Sequence, residues 1–413
     1  MGSSVSRRET CRLCEGRNLD LVLPLKPSAL ADAYVPKELT GEVQETYPLD
    51  LFWCRDCGHL QLLDVVDPEI LFRNYIYVTS SSPGLVEHFR QYANEVMRRV
   101  NPPAGSLAVD IGSNEGILLG FFQKHGLRVL GIDPAEEIAH KATEAGIKTL
   151  PAFFTSELAA QVRNEYGPAT IITANNVYAH SDALADMTEG IRHLLAPDGV
   201  FIFEVSYLVD LMQNMVFDFV YHEHLCYHAV KPLTTFFHRH GLELIDVERV
   251  PTKGGSLRGT AQLMGGPRAV SPSVAELIEL ESSMGLDRAE TYLSFGAKID
   301  DVKRQLSALL HQLKAEGKTI AGYGASATVT TLIYHFELGE MLDFIVDDVE
   351  ERQGLFSPGQ HIPVLSPETL YERRPDYVLI LAWRFAEPII KKHREYLERG
   401  GHFIVPLPVI EVV

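Results

Sequence analysis

Three histidines, two tyrosines and a glutamate fall within eight residues, Tyr221-His222-Glu223-His224-Leu225-Cys226-Tyr227-His228. Two chemistries compete for such a cluster. A zinc-hydrolase pattern needs histidine at both ends of H-E-x-x-H, and the second position is Cys226. His224 and His228 are four apart and could share a helical face, but no third metal ligand is evident. Proton transfer fits better. Histidine titrates near neutral pH, glutamate alone is a weak base unless buried, and tyrosine is mostly protonated. His224 follows Glu223 and stands three residues after Tyr221. A helical turn there puts the phenol and the imidazole on one side and turns His222 elsewhere. A structural cluster of satisfied side chains is the alternative.

A second stretch reads Leu107-Ala-Val-Asp110-Ile-Gly112-Ser113-Asn114-Glu115-Gly116. Its apolar run suits a buried parallel strand, and its glycines suit a sharp turn into the helix that starts at Ile117. The next strand, Arg128 to Ile132, ends at Asp133, where a carboxylate can accept hydrogen bonds from a ribose diol. A dinucleotide site wants G-x-G-x-x-G around a pyrophosphate. Here an acid precedes the first glycine and the spacing is wider. The acid repels pyrophosphate and suits an ammonium group. The pattern resembles the first motif of class I S-adenosylmethionine-dependent methyltransferases, with Asp133 matching the ribose-binding acid. That resemblance makes Asp110, Gly112, Asn114, Gly116 and Asp133 cofactor-binding residues. Phe154, beside Phe153, is the candidate to lie on the adenine ring. The polar end of the strand Thr170 to Ala174 adds Asn176, with His180 facing the cleft. An NAD site and an unliganded βαβ turn are the competing readings.

Four of the five cysteines form two knuckles, Cys11-x-x-Cys14 and Cys54-x-x-Cys57. Two such pairs can close a tetrahedral thiolate site for a structural zinc ion, with no coordination position left open for catalysis. The stretch between them exceeds that of the shortest zinc ribbons, so an insertion must loop out.

These residues need a large scaffold. The chain has 413 residues, enough for two or three domains, with 46% hydrophobic and 22% charged residues. A formal net charge of −18 disfavours nucleic acid and anionic membrane as partners. No apolar run is long enough to span a bilayer, and a cytoplasmic monomer is expected. The pattern predicts an α/β protein in three parts. Residues 1–70 form a zinc-binding module, 71–250 a doubly wound Rossmann-like cofactor domain, and 251–413 a second Rossmann-like domain. Tyr75, Tyr77 and Ser80 belong to a hydroxyl-rich link before a helix, placed as a lid. Lys253-Gly-Gly-Ser256-Leu-Arg258 could meet a phosphate through its cations and serine. Long helices cover about 272 to 316. A second series of strands and helices follows, with a glycine turn at Gly322-Tyr-Gly324-Ala-Ser326 whose backbone could take a diphosphate. Trp383 and Arg384 end a later strand facing the same crevice.

Together, the zinc knuckles, the Tyr75-x-Tyr77-x-x-Ser80 link, the Asp110 turn, His222-Glu223-His224, Gly254-Gly255-Ser256-Leu257-Arg258 and the Gly322 turn resemble the sugar C-methyltransferases that branch deoxysugars for bacterial natural products. The resemblance covers nearly the whole chain. It implies S-adenosylmethionine as cofactor and a nucleoside-diphosphate-linked, dTDP-type, 4-keto deoxysugar as substrate, methylated at C-3. It also implies that a histidine of the 221–224 segment removes the C-3 proton. That role falls to His224, with Glu223 orienting or tuning it. Tyr221, His180 and Tyr75 hold the sugar or polarise its ketone. Gly324, Ser326, Trp383 and Arg384 face the nucleotide. A small-molecule O- or N-methyltransferase, and an interaction protein with a degenerate cofactor fold, are the rival readings.

Overall fold

The computed structural model describes residues 4–73, 75 and 78–413. Side-chain alternation decides how the largest sheet is covered. In the strand Leu107–Ile111, Leu107, Val109 and Ile111 join one apolar cluster while Ala108 joins another. In Leu195–Ser206, Phe201 and Phe203 take the first side, and Val200 and Ile202 the second. Successive side chains of a strand point to opposite faces, so such strands need helices on both. Pro83–Val100 and Ile117–Lys124 close one face through Tyr92, Val96, Leu118 and Phe122. Ser156–Tyr166 and Leu184–Leu194 close the other through Ala159, Val162, Met187 and Ile191.

The strand order of this sheet is Leu242–Val250, Ser256–Leu263, Leu195–Ser206, Ala169–Asn175, Leu107–Ile111, Arg128–Ile132, Thr149–Leu150. From Leu195–Ser206 onward the pairings are parallel, and the first two strands form an antiparallel edge. The order reverses between Ala169–Asn175 and Leu107–Ile111, the place where open α/β sheets hold ligands outside their carboxyl ends. The expected boundary after residue 250 falls inside this sheet, because Leu242–Val250 and Ser256–Leu263 are hairpin partners.

The C-terminal sheet runs Val364–Leu365, Ile345–Val346, Ile320–Tyr323, Tyr377–Ile380, His402–Val405, Glu411–Val412, parallel except for its last strand. The cysteine-rich module is an antiparallel sheet of Leu19–Leu23, Leu51–Cys54 and Leu60–Leu62, and its outer strand, Cys226–Tyr227, comes from the histidine-rich segment. The insertion between the two cysteine pairs crosses to the C-terminal unit. The Tyr34 hydroxyl donates to the Ala325 carbonyl at 2.6 Å, Asp32 pairs with Arg352 at 3.3 Å, and the Gly359 N–H donates to Gln44 at 2.6 Å. Among the described residues no helix is long and apolar enough to cross a membrane.

Candidate active site

One cavity of ≈ 590 Å³ joins the glycine turn after Leu107–Ile111 to the histidine-rich segment. At one end lie Asp110, Gly112, Asn114, Asp133, Phe154 and Asn176; at the other lie Tyr75, His180, Tyr221, Glu223, His224 and Lys253.

The first end is built by the turn. Gly112 has φ +70, and a Cβ there would stand 2.2 Å from Val177; Gly116 has φ +72 and faces Ile147 in the same way. A side chain at either position meets both backbone strain and a clash. Asp133 accepts from the Asn114 N–H at 2.8 Å and from the Ala135 N–H at 2.9 Å, so its carboxylate locks the turn to the neighbouring strand. A carboxylate has about four lone-pair sites, which leaves capacity for a ribose diol. Asp110 is buried and accepts the Thr173 hydroxyl at 2.6 Å; burial pushes its carboxyl up to about 7. Phe154 is buried, and Phe153, also in the wall, carries the Arg73 guanidinium over its ring at 5.3 Å. The Asn114 side chain accepts from Thr79 N–H at 2.9 Å, which ties the 78–82 link to the turn.

The second end is aromatic and mostly buried. A turn from the Tyr221 carbonyl to the His224 N–H, 2.9 Å, brings the two rings to 4.1 Å between centroids. His224 stacks on His180 at 5.0 Å, and His180 stacks on Phe72 at 5.7 Å. His224 Nδ1 meets the Phe219 carbonyl at 2.8 Å. A carbonyl only accepts, so Nδ1 carries the proton and Nε2 carries the lone pair. Burial lowers His224 to about 4. Glu223 does not orient His224; the Phe219 carbonyl does. Glu223 instead accepts the Tyr75 hydroxyl at 3.3 Å, and burial, with the Asp32 charge next in size, raises its carboxyl to about 8. His222 turns away, its Nε2 donating to the Tyr47 carbonyl at 3.2 Å.

Several residues read as substrate-binding stand outside this cavity. Ser80 is exposed and donates to Glu115 at 3.0 Å. Ser256 donates to the Thr252 carbonyl at 3.0 Å, and Arg258 pairs with buried Glu204 at 2.6 Å across the antiparallel register. That pairing spans fifty-odd residues of chain, and the local motif gave no sign of it. Lys253 does line the cavity, in a left-handed conformation with φ 53. Gly324 and Ser326 lie at the second glycine turn; the Ala325 N–H is taken by Asp347, and Ser326 meets Thr328 at 3.2 Å. Trp383 is buried and donates to Asp218 at 3.0 Å, and Arg384 sits over the Phe219 ring at 4.2 Å, behind the histidine end of the cavity. Tyr77 lies outside the described residues. Residues the motifs did not mark are Phe72, Thr79, Asp32 and the Phe219 carbonyl. Their roles come from chain crossings and backbone, which leave no pattern in sequence.

The cysteine pairs converge. Cys11 and Cys57 Sγ are 3.6 Å apart, Cys14 and Cys54 Sγ 3.5 Å, and all four sulfurs lie within 4.8 Å of one another. A tetrahedron of 2.3 Å zinc–sulfur bonds has edges of about 3.8 Å, so the four thiolates fit a structural zinc ion.

The fold, the glycine turn and the acid that ends the next strand have the pattern of a class I S-adenosylmethionine-dependent methyltransferase, here with a zinc module. Family models match in sequence along the chain: a zinc-binding domain at residues 11–72, a methyltransferase domain at 86–247 and a C-methyltransferase C-terminal domain at 251–408. The chain is 36% identical over 406 residues to the C-methyltransferase NovU of Streptomyces niveus, covering 98% of this chain and 97% of that one. It belongs to this C-methyltransferase family. Among solved structures, a 1,6-didemethyltoxoflavin N1-methyltransferase from Burkholderia thailandensis is 21% identical over 43% of this chain and 78% of its own, with a TM-score of 0.33. A magnesium protoporphyrin IX methyltransferase from Synechocystis is 14% identical over 43% of this chain and 81% of its own, also with a TM-score of 0.33.

Proposed function

We propose that the chain methylates C-3 of a nucleoside-diphosphate-linked 4-keto deoxysugar, with dTDP as the nucleotide. The observation that carries this reading is the His224 tautomer: Nδ1 is held by the Phe219 carbonyl, and the basic Nε2 belongs to a ring in the wall of the cofactor cavity. A proton on carbon beside a ketone is acidic enough for one positioned side chain to remove. Nε2 takes the proton, and the electron pair moves onto the ketone oxygen as an enolate. Neutral Glu223 and the Tyr75 hydroxyl are the hydrogen-bond donors for that oxygen. Asp110, Asp133 and the glycine turn would hold S-adenosylmethionine, which would supply a sulfonium methyl to the enolate carbon as its C–S bond breaks and S-adenosylhomocysteine leaves.

Burial, with the Lys253 charge adding to it, makes His224 a weak base before the enolate forms. Lowering it from 6.5 to about 4 costs about 3 kcal/mol of basicity. A forming enolate reverses this. Opposite unit charges ~4 Å apart at an effective dielectric of about 20 attract by about 4 kcal/mol. The base is therefore strengthened when the enolate forms beside it.

The C-terminal sheet, which begins at Ile320–Tyr323, supplies the nucleotide side of the site in this reading. Arg384 packs over the ring of Phe219, whose carbonyl holds His224, and the Gly324–Ser326 turn belongs to the same sheet. The deciding experiment is incubation with S-adenosylmethionine and a dTDP-linked 4-keto deoxysugar, followed by NMR of the product. A new methyl on C-3 supports the reading. A methyl on oxygen or nitrogen overturns it.

A further inference from the structure

We infer that Arg12, inside the first zinc knuckle, is a positioning residue that holds the two histidine-bearing loops in register. The inference rests on the assignment of His224 as base. The Arg12 guanidinium has no exposed side-chain surface, and a buried cation must be partnered. Its partners come from two separate segments. Toward one side Nη1 donates to the Leu62 carbonyl and to Gln61 Oε1 at 3.0 Å. Toward the other, Nε donates to Asp182 Oδ1 at 3.0 Å, and Nη2 approaches the same oxygen at 2.9 Å.

Each partner leads directly to one catalytic ring. In the strand Leu60–Leu62, Gln61 lies opposite Cys226, and the Leu62 N–H donates to the carbonyl of Leu225, the residue after His224, at 3.0 Å. Asp182 is two residues past His180. The Ala179 carbonyl closes the circuit by accepting from the N–H groups of Leu225 and Cys226 at 3.0 and 3.1 Å. His180 and His224 are stacked at 5.0 Å within this ring of contacts. Cys11 beside Arg12 and Cys14 two residues on both belong to the thiolate cluster, so the metal site fixes the backbone from which the guanidinium reaches. A planar fork can span two acceptors in fixed directions, and an ammonium cannot. Misplacing a reacting group by about 1 Å can cost about 10²-fold in rate.

The test uses full-length, zinc-loaded protein carrying Arg12→Lys, Arg12→Met or Asp182→Asn. Zinc content, S-adenosylmethionine affinity by calorimetry, kcat and KM with a dTDP-linked 4-keto deoxysugar, and solvent deuterium exchange at the carbon beside the ketone are measured. The expected result is one zinc per chain, cofactor affinity and KM within about twofold, and kcat down by about 10 to 10²-fold in both Arg12 variants. Exchange should fall by the same factor as kcat. Arg12→Met combined with Asp182→Asn should be no slower than Arg12→Met alone. Wild-type kcat and exchange in variants that retain zinc overturn the role, and so does a change confined to KM or cofactor affinity. Should the Arg12 variants lose zinc or fail to fold, Asp182→Asn decides, since Arg8 still reaches that residue at 3.2 Å and keeps the loop partnered. Wild-type exchange in Asp182→Asn then overturns the proposal. Normal exchange in His224→Asn instead overturns the base assignment and leaves the positioning role to be judged by kcat.

Discussion

Replacing Glu223 by Gln separates the two groups able to take the proton. Burial, reinforced by the Asp32 charge, raises Glu223 from 4.5 to about 8, a preference for the neutral form of about 5 kcal/mol. At pH 7 about ten of every eleven molecules then hold Glu223 protonated. Glutamine has the same shape, is neutral and can donate. If neutral Glu223 serves as a donor, Glu223→Gln keeps kcat/KM at pH 7 within about threefold of wild type. The two should part at alkaline pH. With the folded pKa raised, the neutral form is present below 8 and lost above it. Wild-type kcat/KM should therefore fall about tenfold by pH 9, while the variant shows no such limb. The assay is a kcat/KM profile from pH 5 to 9.5 for both proteins, with cofactor affinity measured alongside. A loss exceeding about 10²-fold at pH 7 with unchanged cofactor affinity would refute the reasoning, because the ionised carboxylate would then be the working base.

His224→Asn should lower turnover by about 10² to 10⁴-fold with S-adenosylmethionine affinity nearly intact, and should slow solvent deuterium exchange beside the ketone. Normal exchange in that variant, with exchange abolished in a His180 or Tyr75 variant, names a different base. Asp133→Ala should weaken cofactor binding, since two charge-assisted hydrogen bonds to ribose are worth about 1.5–3 kcal/mol each and the Asn114 and Ala135 amides lose their acceptor; unchanged affinity by calorimetry counts against the site. Arg384→Lys and Ser326→Ala should raise KM for the nucleotide sugar severalfold with little change in kcat. An unaltered KM in both places the nucleotide elsewhere.

Much of this protein was legible without coordinates. The two C-x-x-C pairs, the Asp110–Gly116 turn and Asp133 are local patterns whose chemistry follows from residue type and spacing. A glycine forced to positive φ, or a thiolate pair three residues apart, has few structural solutions, so sequence alone determines the zinc module, the glycine turn and the doubly covered parallel sheet. The opposite placement of His224 and His222 also followed from their spacing: His224 lines the cavity and His222 turns to the Tyr47 carbonyl. Tertiary structure decided what each charged side chain actually meets. Arg258 reads as a phosphate ligand beside two glycines, yet the antiparallel register hands it to Glu204. Glu223 reads as the partner of His224, yet a backbone carbonyl takes that place and burial leaves the carboxyl neutral. Arg12 carries no motif meaning, yet it joins the zinc knuckle to Asp182. Hydrogen bonds to carbonyls, and ion pairs across fifty to two hundred residues, depend on how distant strands and loops are brought together. No periodicity in the chain encodes those meetings, so only the folded arrangement could assign them.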